Sequence, residues 1–292
     1  MDKNFIPISE MPLGDDGSIY HLHLHPEQIA DNIILVGDPG RVPVISAFFD
    51  RVDIKVQNRE IVTHTGEYNG KRITVLSTGM GTDNIDIVIN ELDALVNVDL
   101  KTRTRKETHH TLNLVRLGTS GSLQADYEVN KFCASTYGLG LDGLLNYYGI
   151  DPSLYENELL NKVLEHLQLP PQFARPYLVK CSEELMQKVG YDMIQDMTAT
   201  SPGFFAPQGR KIRLPLVLPE LPDKLSSFRS ESKRFANFEM ETSALYGLGR
   251  GLGHNTLTVC VLIANRVNRT FSDDYKPYIK QLTQIVVERL CG

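Results

Sequence analysis

Short apolar runs alternate along the chain with segments whose apolar residues recur at helical spacing. The runs are rich in β-branched residues and nearly continuous in hydrophobicity, which is typical of strands buried on both faces of a sheet. We predict strands at Asn32–Val36, Ile73–Leu76, Leu112–Leu117, Leu178–Cys181 and Thr256–Ile263. We predict helices at Val42–Phe49, Asn84–Val96, Leu154–Leu167, Glu183–Lys188, Glu241–Leu248 and Asp274–Leu290. Strands alternating with helices indicate an α/β domain with a parallel or mixed sheet.

Three polar segments interrupt this pattern. Lys101–His110 is a basic run that we interpret as a solvated loop, with an interaction element as the alternative. Ser201–Pro222 contains five prolines and no periodicity, so we expect a long surface loop that serves as a lid or binding loop. His21, His23 and His25 alternate and would share one face of a strand. No cysteine or carboxylate stands at a spacing that would complete a metal site with them, so no metal is predicted.

Composition narrows the class of protein. The chain has 292 residues, 41% of them hydrophobic and 23% charged, and a net charge of −6, so nothing in the overall charge favours nucleic acid as a partner. No apolar run reaches the ~18 residues of a membrane helix, and no secretory signal opens the sequence. Four cysteines lie far apart without a CxxC pair, and Cys133 and Cys260 fall inside apolar runs as small core residues. We expect a cytoplasmic protein with one domain.

Small-residue turns follow three predicted strands, where open α/β sheets bind ligands. They are Gly37–Arg41, Ser77–Gly81 and Gly118–Ser122. Arg41 lies at the end of the first turn, and Arg116 stands inside an otherwise apolar strand, where a buried guanidinium needs an anionic partner. Each glycine cluster alone is explained by a tight turn. Two such turns with arginines beside them favour an oxyanion such as phosphate.

Carboxylates open one of the predicted helices. The segment Phe238–Glu241 begins that helix pattern with Glu239 and Glu241 and no cation beside them. First-turn acids are explained by the helix dipole, but apolar surroundings also favour a donor, either a ligand hydroxyl or an arginine. We expect Asn265–Arg266, at the end of the long apolar strand, to be the partner of Glu239. The sequence has no Walker loop, GxSxG elbow or HExxH pair.

These motifs, in this order, resemble the nucleoside phosphorylase/uridine phosphorylase family, and the resemblance is strongest to its uridine phosphorylases. The motifs are His21 in YHLHL, GDPGRV, Asn58–Glu60, TGMG, VRLGTSG, FEMET and the Phe204–Arg210 segment. The resemblance implies a single-domain three-layer α/β sandwich with a central mixed sheet flanked by helices. It covers residues 20–292 and leaves residues 1–19 as an N-terminal extension.

The family's functional residues are expected here at the matching positions. For phosphate the resemblance implies Gly37, Arg41, Arg59, Arg116, Gly118, Thr119 and Ser120. For ribose it implies His21, Met240 and Glu241, and for the base Phe204, Gln208, Arg210, Glu239 and Arg266. Arg116, Thr119, Arg210 and Glu241 are the expected catalytic residues. Because His21 and Arg59 serve a neighbouring subunit's site in the family, a homodimer is the expected minimal unit, and a hexamer remains open.

The implied activity is reversible phosphorolysis of uridine to uracil and ribose 1-phosphate in pyrimidine nucleoside salvage, with deoxyuridine and thymidine as further substrates to test. Phosphate is then a co-substrate and no cofactor is expected. The family's uridine phosphorylases can also bind a monovalent cation. Asn84 replaces the serine usual at that site, which argues against a cation here and leaves it as an open alternative. Other readings also stay open: a purine nucleoside phosphorylase or nucleosidase of the same family, or an inactive nucleoside-binding homologue.

Overall fold

The computed structural model describes residues 4–292. The strands are β1 (Asn32–Val36), β2 (Arg51–Asn58), β3 (Ile61–Tyr68), β4 (Lys71–Ser77), β5 (Val98–Asp99), β6 (Thr104–Arg105), β7 (Asn113–Ser122), β8 (Phe132–Gly140), β9 (Tyr177–Lys180), β10 (Ile194–Thr200), β11 (Phe235–Glu239), β12 (Asn255–Asn265) and β13 (Thr270–Phe271). The helices are α1 (Arg41–Ser46), α2 (Thr82–Asn97), α3 (Asn157–Leu167), α4 (Glu183–Leu185, continued by a π-helical turn at Met186–Gly190), α5 (Leu221–Ser227), α6 (Thr242–Gly251) and α7 (Lys276–Cys291). Single 3-10 turns lie at Pro26–Gln28, Leu144–Tyr147, Pro152–Leu154 and Ala206–Gln208.

One mixed sheet organises the molecule. Its order is β2-β3-β4-β1-β7-β11-β10-β8-β12-β13, and β9 pairs antiparallel with the second half of β8. Because β12 also pairs with β7, the strands β7, β11, β10, β8 and β12 close into a ring. Helices α1 and α7 pack on β3 and β4, and α6 packs on β8, β12 and α2. The predicted α/β class, with a central mixed sheet flanked by helices, is confirmed.

Strand β7 is the junction between the open sheet and the ring. The first half of β7 pairs in parallel with β1. Along its whole length, β7 also pairs in parallel with β12. Its last residues, Gly121 and Ser122, pair with the antiparallel β11 instead. The carboxyl ends of β1, β4 and β11 therefore meet beside the middle of β7, which places ligand-binding turns at one point.

The predicted strands and helices all appear, with ends shifted by a few residues. Two local predictions are wrong. The residues Phe238 and Glu239 end a strand rather than begin a helix, and α6 starts only at Thr242. The segment of His21, His23 and His25 is not a strand: His23 has a positive φ of 54°, and the Glu91 carboxylate accepts the N–H groups of His21 and Leu22, so these groups form no ladder.

The two long polar segments are exposed for most of their length. Between Ser201 and Glu220 the 3-10 turn is the one regular element. The Lys101–His110 loop carries β6 and holds the N-terminal segment, since Arg103 donates to the carbonyls of Ile6 and Pro7. The boundary of the N-terminal extension at residue 20 stays a prediction, and its residues 1–3 lie outside the described residues.

No helix in residues 4–292 is long and apolar enough to cross a membrane. Cys133, Cys181, Cys260 and Cys291 are buried free thiols. Cys133 and Cys260 face each other across β8 and β12, so they are core residues as predicted.

Candidate active site

A cavity of about 740 Å³ opens where the strand ends converge on β7. Most of the candidate site residues line it: Gly37, Arg41, Arg116, Thr119, Ser120, Phe204, Gln208, Arg210, Glu239, Met240 and Glu241. They come from four separate stretches of the chain, so the fold brings together groups that are distant in sequence.

Arg116 is the buried cation at the inner wall of the cavity. Its Nη2 donates to Oε2 of Glu241, and its Nη1 lies 3.6 Å from Oε2 of Glu239. Burial lowers the pKa of Arg116, but the charges of Glu241 and Glu239 outweigh this and raise it above the usual range. Gly118, two residues along the same strand face, makes the room for this side chain: a Cβ there would lie 2.2 Å from Nη1 of Arg116.

Arg41 is a second cation on the same side of the cavity. The β1 turn presents it at the start of α1, where Gly40 donates to Oδ1 of Asp38 at 2.8 Å. No carboxylate of residues 4–292 lies within ion-pair distance of Arg41. Burial, and then the like charge of Arg116, lower its pKa. Two guanidinium groups close enough to repel each other create a site for an anion.

The start of α6 explains how Glu239 and Glu241 are held. The Glu239 carboxylate accepts the N–H groups of Glu241 and Thr242, both at 2.9 Å, and the Thr200 hydroxyl at 2.6 Å. These bonds cap the helix. Burial raises the pKa of Glu239, and Arg116 opposes that shift. Oε1 of Glu241 accepts the N–H of Gly81 at 2.9 Å, which ties the β4 turn to α6.

The expected pairing of Glu239 with Asn265 and Arg266 is wrong. The Asn265 amide donates to the carbonyls of Gln124 and Tyr127, and Arg266 donates to the carbonyl of Gln208 at 3.1 Å. Strand β12 continues through Asn265, so the Asn265 side chain bonds to the loop that follows β7 rather than to Glu239. The partner of Glu239 is Arg116 instead.

The long loop supplies the opposite end of the cavity. Nη1 of Arg210 donates at 2.6 Å both to Oε1 of Gln208 and to the Phe204 carbonyl, and the guanidinium lies 3.8 Å from the centre of the Phe204 ring. Burial, and then the charge of Arg266, lower the pKa of Arg210 to about 10. Neither Arg210 nor Arg266 has a carboxylate partner in the described part of the chain. This end, like the Arg41 end, therefore favours negative charge.

Four candidate residues lie outside the cavity lining: His21, Arg59, Gly118 and Arg266. Nδ1 of His21 contacts Oε1 of Glu91 at 2.6 Å. Arg59 is exposed in the β2–β3 turn, 6.0 Å from the ring of Tyr20, and Asn58 donates to the His21 carbonyl at 2.9 Å. His21 and Arg59 thus share one surface patch on segments separated by more than thirty residues of sequence.

The cavity also has lining residues that sequence reasoning missed. Met80 and Phe271 expose 75% and 62% of their surface, and Glu60 and Ile263 are further lining residues. Asn84, which the resemblance placed at a cation site, also lines the cavity. Met80 lies in the TGMG turn, so its position between two glycines was an available signal. Phe271 gives no such signal, because its short strand β13 reaches the cavity only by pairing with β12.

Comparisons with known proteins find relatives that cover most of the chain. A uridine phosphorylase of Thermococcus kodakarensis is 29% identical over 266 residues, which cover 90% of this chain and 83% of the relative. A DeoD-type purine nucleoside phosphorylase of Clostridium perfringens is 26% identical over 272 residues, covering 92% and 97%. The chain is thus similar to enzymes that are named for pyrimidine and for purine nucleosides.

Solved structures show the same fold. A Trypanosoma brucei nucleoside phosphorylase, described as showing uridine phosphorylase activity, superposes with a TM-score of 0.86 at 28% identity and covers 96% of this chain and 99% of its own. A uridine phosphorylase of Phytophthora capsici gives a TM-score of 0.70 at 19% identity, with 99% of both chains covered. The family model of the phosphorylase superfamily matches residues 31–290. On this match, which spans most of the sequence and all of the cavity, the chain belongs to the phosphorylase superfamily.

Proposed function

We propose that this protein catalyses the reversible phosphorolysis of uridine, giving uracil and ribose 1-phosphate. The observation that carries the proposal is the distribution of charge along one cavity. Arg41 and Arg116 lie at one end, Arg210 and Arg266 lie at or behind the other, and the carboxylates of Glu239 and Glu241 lie between. Phosphorolysis needs this arrangement, because an anion attacks at one end and an anion departs at the other while the sugar becomes cationic.

The Arg41 end is the proposed phosphate site. The turn residues Gly37 and Thr119 line it with backbone and hydroxyl groups, and Arg41 forms no ion pair with any residue from 4 to 292. Charge-assisted hydrogen bonds to a dianion are worth about 1.5–3 kcal/mol each. A phosphate held here attacks C1′ of the ribose as the bond to the base breaks, and its remaining negative charge favours the cationic sugar.

The sugar is assigned to Met240 and Glu241. Met240 lines the cavity between the two charged ends, where its thioether can pack on a ring face. The Glu241 carboxylate is fixed by Gly81 and Arg116 and has lone pairs left to accept hydroxyl groups of the ribose. Fixing the sugar between nucleophile and leaving group supplies several kcal/mol by orientation.

Gln208 and Arg210 are the proposed contacts of the base. Because a guanidinium only donates, the Gln208 atom facing Arg210 is its oxygen, and the amide N–H groups are left to donate. Uracil offers acceptors at O2 and O4 and a donor at N3, which match the amide and Arg210. As the glycosidic bond breaks, negative charge grows on these oxygens. The positive charges of Arg210 and Arg266 therefore stabilise the departing base more than the bound substrate.

The same groups discriminate against other bases. Cytosine carries an amino group where Arg210 would donate, so a donor would face a donor in a half-buried site. A purine leaves most readily when N7 is protonated, but the lining residues at this end, from Phe204 to Arg210 and from Ile263 to Phe271, include no acid. This absence favours a pyrimidine over the purine nucleosides that the Clostridium relative is named for.

We further propose that a homodimer completes the site. His21 and Arg59 lie together at the surface and do not line the cavity of their own chain, as expected for groups that contribute to the site of a neighbouring copy. Phosphate is the proposed co-substrate, and the proposed reaction requires no cofactor. Asn84 and Glu60 line the cavity wall near Gly79, which is where a monovalent cation would have to bind.

The experiment that tests the proposal is product analysis with uridine in the presence and absence of phosphate. We expect uracil and ribose 1-phosphate in equal amounts, and no cleavage without phosphate. A nucleosidase would instead release free ribose whether or not phosphate is present. Inosine turnover above uridine turnover would replace the pyrimidine assignment with a purine one, and binding of uridine without turnover would identify an inactive homologue.

A further inference from the structure

A chain of polar side chains crosses the closed part of the sheet and ends at the cavity. It consists of Ser135 on β8, Thr198 on β10, Asn237 on β11 and Ser120 on β7, which are consecutive strands in the sheet. The successive contacts are 2.5 Å between the hydroxyls of Ser135 and Thr198, 2.6 Å from Thr198 to Oδ1 of Asn237, and 2.8 Å from Nδ2 of Asn237 to Ser120. The first three residues are fully buried, and Ser120 is 5% exposed.

The register of the strands positions these four polar side chains. The pairing of β10 with β11 shifts register between Met197 and Thr198, where Ala236 is the extra residue of β11, and the pairing of β10 with β8 shifts register between Asp196 and Thr198. The extra residue on β11 places Asn237 directly opposite Thr198. Buried polar groups in a sheet interior are costly unless each is bonded, so apolar residues would be the simpler filling. The stability of the fold therefore gives no reason for a polar chain at these positions.

The hydrogen bonds from Thr198 to Ser120 run in one direction. Thr198 donates to the Asn237 oxygen, which leaves the Asn237 nitrogen to donate to the Ser120 oxygen. The Ser120 hydroxyl is then an acceptor within the chain, and its own proton points elsewhere. The Cys260 thiol, which hydrogen-bonds to Ser120, is only a weak acceptor for that proton. A phosphate oxygen in the cavity, whose wall Ser120 shares with Thr119 and Arg116, is a stronger acceptor.

From this geometry we infer that Asn237 is a positioning residue for phosphate: it fixes the Ser120 hydroxyl as a hydrogen-bond donor into the cavity. The inference rests on the proposed function in that it takes phosphate as the anion bound beside Ser120. Asn237 does not touch the cavity itself and acts only through Ser120. Thr198 in turn fixes which atom of the Asn237 amide faces Ser120.

The test is a double-mutant cycle read by phosphate binding in calorimetry, which needs no turnover. S120A removes a donor to a charged acceptor, so we expect phosphate affinity to fall roughly tenfold or more. N237L keeps the size of the side chain and removes its donor, so we expect a smaller loss, about three- to tenfold. In the S120A background, N237L should have no further effect, because its action passes through Ser120.

A second variant covers the case that N237L does not fold. T198V keeps the shape of the side chain but releases the Asn237 amide, so it should weaken phosphate binding in the wild-type background and not in S120A. The matched control is T65V, which removes a buried hydroxyl bonded to Thr74 in the open sheet. T65V should lower thermal stability and leave phosphate affinity unchanged.

Equal losses from N237L or T198V with and without Ser120 would overturn the inference, as would a parallel loss of uridine affinity, since both results indicate a structural role only. Failure of the proposed function looks different. If N237L weakens phosphate binding only when Ser120 is present, but the protein cleaves no uridine, the substrate assignment is rejected and the role of Asn237 stands. If the protein cleaves uridine with phosphate but N237L weakens phosphate binding equally with and without Ser120, the substrate assignment stands and the role of Asn237 is rejected.

Discussion

Replacing Arg210 with methionine separates stabilisation of the leaving base from binding of the substrate. The guanidinium is half-buried, donates to Gln208 and Phe204, and has a second cation, Arg266, nearby. A charge-assisted hydrogen bond is worth about 1.5–3 kcal/mol, and the remaining arginine and partial exposure place this one near the lower end. A loss of about 1.5–2 kcal/mol corresponds to a roughly 10- to 30-fold decrease in kcat.

The assay compares uridine with 5-fluorouridine at saturating phosphate. Fluorine makes the departing base a weaker base, so less charge must be stabilised, and the kcat defect of R210M should be smaller for 5-fluorouridine. The matched control is R213M, which removes an exposed arginine of the same loop and should leave both rates unchanged. An equal defect for the two substrates, or a change in KM alone, would refute the role of Arg210 in charge stabilisation.

Other predictions test the remaining parts of the cavity. R41A should raise the KM for phosphate roughly 10- to 100-fold and change the KM for uridine little, and comparable changes in both constants would contradict the division of the cavity into two ends. E241Q should lower the free energy of unfolding in urea by about 3 kcal/mol, because Arg116 loses a buried partner while Glu239 stays 3.6 Å away; wild-type stability would contradict the buried pair. Mixed dimers of R59A and E241A chains should recover up to about a quarter of wild-type activity at low phosphate, since one site in each mixed dimer is intact, and no recovery would place Arg59 in its own subunit's site. Cytidine should be cleaved at least roughly a thousandfold more slowly than uridine, and comparable rates would exclude the proposed contacts of the base.

Continuity of hydrophobicity decided which strands could be predicted. Asn32–Val36 and Thr256–Ile263 are buried on both faces and lie at the centre of the sheet, so their apolar runs are unbroken. Strand β2 lies at the sheet edge, where exposed and half-buried positions alternate, so its sequence has no continuous apolar run and does not predict a strand. Strands β8 and β10 were missed for a different reason: the polar chain through Ser135 and Thr198 interrupts their apolar runs.

For the site, the sequence predicted which groups need a partner but not which residues are the partners. A buried arginine in an apolar strand indicated that Arg116 would need an anion, and the structure provides one. The identity of that partner could not be read locally, because Glu241 is 125 residues away and its position depends on how β11 joins α6. Likewise the acids of Phe238–Glu241 resembled a helix start, whereas Glu239 ends the strand and its carboxylate caps the helix that follows.

A crystal structure with sulfate and uridine bound together tests the central claim most directly, because sulfate occupies a phosphate site without reacting. The account predicts sulfate within hydrogen-bonding distance of Arg41 and Arg116, the ribose on Met240 and Glu241, and the uracil edge against Gln208 and Arg210. A sulfate bound elsewhere, or a uracil ring at the Arg41 end of the cavity, would contradict it.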